Sequence, residues 1–243
     1  MILAILIMLF SQVALAAAPG GSLLGISLIE GKGGSSIAVP MQITILMTLL
    51  ALLPAAIMSV TPFLRISIVL HFLRQALGTQ SAPSNQVLVG LSLFLSMLIV
   101  GPVFTQIHTE AWAPMDKGVI TQDEAIEKAG KAVKTFLLKY AREKDIKLFL
   151  EVSHAPAPRT PDDLDLKVLV PAYIISELKT GFQIGAVLFL PFLVIDIVVA
   201  SVTLSIGMVQ LPPVMISAPF KILLFVLVDG WNLLIGSLIK SFY

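Results

Sequence analysis

The chain has 243 residues, 57% of them hydrophobic, with 16 basic and 15 acidic side chains, a net charge of +1 and a mean hydropathy of +0.96. Charged residues make up only 13%, too few to clothe the surface of a soluble protein of this size. With neither a high net charge nor a basic stripe, disorder and nucleic-acid binding as the main task are excluded, and no cysteine is present to make a disulfide, thiol nucleophile or Cys-based metal site. The chain reads as a membrane protein.

The charges are concentrated. Residues 107–179 carry eleven of the sixteen basic groups and twelve of the fifteen acids, between two apolar halves. The start, Met1–Phe10, is apolar and leads into Ala14-Leu15-Ala16, the pattern of a cleavable secretory signal spanning 1–16. A Gly/Ser-rich flexible lead then fills 17–41.

A first hydrophobic hairpin is expected over 42–106. Its first span lies within Ile43–Thr61 and contains Pro54, which predicts a kink. The apolar stretch Phe63–Leu73 extends that helix past the thickness of a bilayer. The second span runs from Val87 to Gln106. Arg65 and Arg74 lie between the spans with no carboxylate nearby, the bias of a cytoplasmic turn. The polar middle, 107–179, is then periplasmic.

That middle reads as a helical domain rather than a loop. Thr121-x-x-Glu124 is a capping box, and Ala125, Ala129, Val133, Phe136, Leu137 and Tyr140 form one apolar stripe. A break is expected near Lys144–Asp145, then a short element at Ile146–Val152. Pro156, Pro158 and Pro161 mark an irregular linker, and a helix resumes at Val168–Leu178. The second hairpin, 180–243, is expected to hold a span over Thr180–Gly207, a turn over Gly207–Phe220 and a span over Ile222–Ile239, with the tail external.

Chemistry is sparse. His71, His108 and His154 fall in three different regions, with no metal-ligand spacing, no phosphate-binding loop and no nucleophile motif. No cofactor, metal or catalytic site is expected. Asp196 and Asp229 lie inside apolar segments, where a carboxylate needs a partner. They read as buried polar contacts between helices or between subunits, with Asn232 or Lys221 as partners, or alternatively as parts of an ion or proton path. Gly181-x-x-x-Gly185 and Ser201-x-x-x-Ser205 offer small faces for close helix packing.

Three long stretches carry a resemblance. They are RISIVLHFLRQALGTQSAPSNQVLVGLSLFLS (Arg65–Ser96), VPAYIISELKTGFQIGAVLFLPFLVIDIVVASVTLSIGM (Val170–Met208) and LPPVMISAPFKILLFVLVDGWNLLIGSLIKSF (Leu211–Phe242). All resemble the FliP family of type III export-gate proteins, its flagellar branch more than its virulence branch. The resemblance implies an all-α membrane subunit of a helical oligomer, with five copies assembling with FliQ and FliR. It also implies contact with FlhB and with the rings and rod of the basal body in the bacterial inner membrane. Much of such a complex is lifted above the bilayer. Unfolded rod, hook and filament subunits would pass through its pore. The family's methionine gasket corresponds here to Met208, Val209 and Gln210, of which Met208 alone keeps the methionine.

Two alternatives stay open. One is a virulence secretion gate; the other, resting on Asp196 and Asp229, is a small-solute or ion transporter. A transporter of this kind is expected to show matching halves, and 43–106 does not visibly repeat in 180–239.

Overall fold

A computed structural model describes residues 39–79, 81–154, 158, 160–208 and 212–243. The expected signal peptide, the lead up to residue 38 and the pore positions Val209 and Gln210 lie outside the described residues. The chain forms two units, Met1–Leu53 and Pro54–Tyr243. The described part of the first is helical from Val39 to Leu53, with Met47, Leu49 and Leu52 among its exposed side chains.

Every regular element among the described residues is helical. They are α1 (Val39–Ser59), α2 (Phe63–Ala76), α3 (Asn85–Ile107), α4 (Ala113–Asp116), α5 (Gln122–Tyr140), α6 (Glu143–Ser153), α7 (Leu166–Ser205), α8 (Pro213–Leu227) and α9 (Gly230–Lys240). A π-helical turn, His108–Trp112, joins α3 to α4, and a 3₁₀ turn, Pro161–Asp163, precedes α7. Two helical runs, Asn85–Asp116 and Leu166–Ser205, are long and apolar enough to cross a membrane. Two further pairs of helices reach that length only if each is counted across its break, α1 with α2 and α8 with α9.

Those breaks correct the sequence reading twice. The first helix does not run on through Leu73: it stops at Ser59, and α2 begins after Pro62, which has no N–H to continue the ladder. The last apolar segment is not one continuous helix either. Asp229 takes a left-handed conformation (φ 51°) and α9 leaves α8 at 67°. The expected turn over Gly207–Phe220 is also shorter, because α8 starts at Pro213, whose ring suits a first helical position.

The polar middle folds nearly as the pattern predicts. Thr121 accepts from the Glu124 N–H (3.3 Å) and the Glu124 carboxylate accepts from the Thr121 N–H (2.9 Å), closing the capping box of α5. Ala125 and Leu137 of the stripe are buried, and so is Ala132. The break after α5 falls at Ala141–Arg142 instead of Lys144–Asp145. There the Arg142 N–H turns away from the helix to donate to Ser176 Oγ at 3.0 Å.

Two cores result. The larger is built on α2, whose Ile66, Val69, Leu70 and Leu73 are fully enclosed by Leu88, Leu95 and Ile99 of α3, Phe192 of α7, Phe225 of α8 and Leu234 and Leu238 of α9. The smaller joins Leu137 of α5 to Val168, Leu169 and Tyr173 at the start of α7. Tyr140 packs against both. α2 is therefore the centre of a helical cluster, with α3 folded back on it to form the first hairpin.

Candidate functional site

The polar groups inside the apolar regions sort into four places along α7, which starts with Asp165 capping its own first turn (Lys167 N–H to Oδ1, 3.0 Å).

The first is a buried node at Glu177. Arg65 of α2 is 4% exposed and Glu177 is 0% exposed. Arg65 Nε donates to Glu177 Oε2 at 2.9 Å and Nη2 donates to Oε1, a two-pronged pair that fixes both side chains. The remaining guanidinium N–H groups reach Ser241, at Oγ (3.1 Å) and the carbonyl (3.3 Å). The Phe242 ring covers the guanidinium at 3.9 Å. Tyr140 donates its hydroxyl hydrogen to the Phe242 carbonyl at 2.6 Å and stacks edge-on against that ring. A charge removed from water costs several kcal/mol unless it is paired and hydrogen-bonded, and both conditions are met here. One neighbour is less well served: the Tyr173 hydroxyl is buried with no hydrogen-bond partner.

This node overturns the simple topology. Arg65 was expected on the cytoplasmic face, with Tyr140, Glu177 and the tail on the opposite face, some 30 Å away. They touch. Arg65 is not a free side-marking charge, and the start of α2 lies level with the polar middle and the tail. Arg74, half-buried at the other end of α2, reaches the Pro83 carbonyl at 3.5 Å.

One residue before Glu177, Ser176 ties α6 to α7. Its hydroxyl donates to Asp145 Oδ2 at 2.6 Å, and Arg142 Nε donates to the same oxygen at 3.0 Å. Burial pushes the Asp145 carboxyl up. The hydrogen bonds from Ser176 and Arg142, with the charges of Arg142 and Lys179, outweigh it and hold the group below the ordinary carboxylate range.

The second place is the close crossing of α2 and α7. A Cβ at Gly181 would stand 3.3 Å from the Arg65 Cα and from Ile68, and one at Gly185 would stand 2.6 Å from Phe72. The Gly181/Gly185 face therefore serves packing within the chain. Ser201 and Ser205, the second small face, are exposed in the single chain. Their hydroxyls donate to the Ile197 and Ser201 carbonyls of their own helix (2.9 and 2.7 Å).

The third is the carboxylate of Asp196. Lys221 of α8, 1% exposed, donates to Oδ2 at 2.6 Å, and Ser217 donates to Oδ1 at 2.5 Å. These bonds clip α8 onto α7. Asp229 behaves differently. It accepts from Asn232 Nδ2 at 3.1 Å, the partner the sequence suggests, and both residues are exposed in the single chain. The reason is the hinge, which turns the Asp229 side chain out of the bundle.

The fourth is the end of α7. Gly207 (φ 76°) occupies a left-handed position, its N–H donating to Leu204 O and the Met208 N–H donating to Thr203 O, both at 3.0 Å. This pair of bonds terminates a helix and turns the chain sharply. Met208 emerges from it partly exposed. Among the described residues no group of three or more His, Cys, Asp or Glu is placed to hold a metal ion.

Sequence reasoning missed Arg65–Glu177 and Asp145–Ser176, which join residues 112 and 31 positions apart. A signal was present. Arg65 sits in a stretch with no acid from Lys32 to His108, so a buried arginine there had to find a distant carboxylate.

The sequence matches the FliP family over residues 46–238. It is 49% identical over 212 residues to "Flagellar biosynthetic protein FliP" of Pectobacterium carotovorum subsp. carotovorum, covering 87% of this chain and 82% of that protein. It is 48% identical over 217 residues to the protein of the same name from Bacillus subtilis (strain 168), covering 89% of this chain and 98% of that one. A third, from Cereibacter sphaeroides, is 46% identical over 218 residues, covering 90% and 72%. The matched span contains the Arg65–Glu177 pair, the Gly181/Gly185 crossing and the Asp196–Lys221 clip, and by that extent and identity the chain belongs to the FliP family.

Proposed function

We propose that the chain is a structural, non-enzymatic subunit of the flagellar type III export gate, through which unfolded rod, hook and filament subunits leave the cell. The observation that carries this is near-full-length similarity to flagellar biosynthetic proteins. The fold is consistent with it: the charged side chains inside the apolar helices that pair internally tie helices together instead of converging on a substrate-sized polar cavity.

In this reading five copies assemble with FliQ and FliR, next to FlhB and within the rings and rod of the basal body. The gate sits in the bacterial inner membrane with the polar middle (107–179) periplasmic. A signal peptide, 1–16, is removed first. Because Arg65 lies level with the polar middle, Arg74 alone remains as the basic mark of the cytoplasmic end of α2. Met208, Val209 and Gln210 of each copy surround the axis. There an apolar pair repeated around a ring narrows the pore and seals it by dewetting, yet yields to an unfolded chain.

The test is replacement of the resident export-gate gene by this one in a flagellated bacterium, with hook protein measured in the medium. Export restored by the wild-type chain supports the reading, and a chain that assembles normally yet restores no export contradicts it. Alanine at both Met208 and Val209 is expected to raise ion conductance of the purified gate in a planar bilayer while assembly persists. Unchanged conductance would move the seal elsewhere.

A further inference from the structure

Two features left over from the single chain fit each other. The first is a groove of about 360 Å³ on the outward face of α2, lined by Ile68, His71, Phe72, Arg74 and Gln75 and by Phe182 of α7. Arg74 at this groove has only the Pro83 carbonyl, at the long limit of a hydrogen bond, and no carboxylate pairs with it among the described residues. The second is the α8–α9 hinge. There Asp229 is exposed among Val226, Leu227, Val228 and Leu233, all exposed, Leu227 at 73%. A carboxylate has about four acceptor sites, and Asn232 uses one.

The hinge and the groove are separate surfaces, since no residue of α8 or α9 lines the groove. Both stand near the ends of helices packed on α7: Arg74 in the last turn of α2, whose Ile68 and Phe72 meet Gly181 and Gly185, and Asp229 just past α8, whose Lys221 meets Asp196.

We propose that the two surfaces are the halves of a head-to-tail contact between copies of this chain. The hinge of one copy seats Val226 and Leu227 in the α2 groove of the next and sets Asp229 against that copy's Arg74. This rests on the homo-oligomer reading given above and names its interface. The patches differ, so the contact is heterologous and repeats from copy to copy around an axis, as a helical oligomer requires. Without a neighbour the arginine and the carboxylate each lack an ion-pair partner, whereas a second copy satisfies each with the other.

The chain has no cysteine, so introduced thiols report alone. Two differently tagged full-length chains, Arg74→Cys and Asp229→Cys, would be co-expressed with the rest of the gate and mildly oxidised in membranes. A second pair, Gln75→Cys with Leu227→Cys, keeps both charges and guards against loss of assembly in the first. The expected result is a disulfide dimer carrying both tags for at least one pair, absent when either chain is expressed alone. The native mass of the wild-type complex in mild detergent is measured alongside. Several copies with no mixed dimer from either pair would overturn this interface and leave the oligomer standing, with lipid or a different subunit on the groove. A single copy per complex would overturn both.

Discussion

The Arg65–Glu177 node and the Asp196–Lys221 clip are both ion pairs set in apolar helices, and they differ in what surrounds them. The node is closed on every side: α2 and α7 supply the charges, Tyr140 of α5 and the Ser241–Phe242 tail supply the lid, and Glu177 has no exposure. The clip joins only α7 and α8, and its Asp196 side chain remains 21% exposed. The first pair therefore fixes how separate regions of the chain meet, and the second fixes one hairpin at the surface of the chain. Charge in an apolar sequence here joins helices at two scales.

The comparison is broken most severely at the node. Glu177→Ala strands a buried guanidinium and is expected to cost about 3–5 kcal/mol, whereas Arg65→Met with Glu177→Leu removes both charges and should cost far less. Denaturant midpoints of the purified protein in mild detergent measure both. Equal losses for the single and double variants would show that the charges are not enclosed in solution. Gly185→Ala comes next, at about 1–3 kcal/mol, because its Cβ falls 2.6 Å from Phe72. Phe72→Leu in the same chain should recover part of the loss.

Asp145→Asn sharpens the picture in the polar middle, with a loss of about 1 kcal/mol near neutral pH. The Asp145 carboxyl is held low in the folded chain. Its contribution is thus complete above the unfolded value of about 3.9 and disappears as pH falls through the lower folded value. The gap between wild type and variant should close on acidification, and a gap that widens would reverse the sign. The smallest effect is at Tyr173, whose hydroxyl is buried without a partner. Tyr173→Phe should be neutral or stabilise by up to about 1 kcal/mol, read from the same midpoints.

Much of this was legible in the sequence, for identifiable reasons. α3 follows an uncharged apolar run, α7 a longer apolar run with few charges, and α5 a capping box and a 3.6-residue stripe, all local signals. Asp196 was legible as a carboxylate in need of a partner, with Lys221 among the candidates. The breaks at Val60–Pro62 and Asp229 were not, because hydropathy is blind to a bend between two apolar helices. The node was not, because positive-inside reasoning treats an arginine as a solvent-facing mark and has no term for a glutamate 112 residues away.

If the chain is a structural subunit, the Asp196–Lys221 and Arg65–Glu177 pairs within its apolar helices hold structure and carry no proton. Asp196→Asn separates the two roles, because the amide oxygen can still accept from Lys221 and the amide N–H can donate to Ser217 Oγ, but the group cannot take up and release a proton. Recovery of the assembled gate and export of hook protein would be measured on the same cells. The account predicts that the two change together, both retained or both reduced in proportion. A gate that assembles at the wild-type level and exports nothing would contradict it.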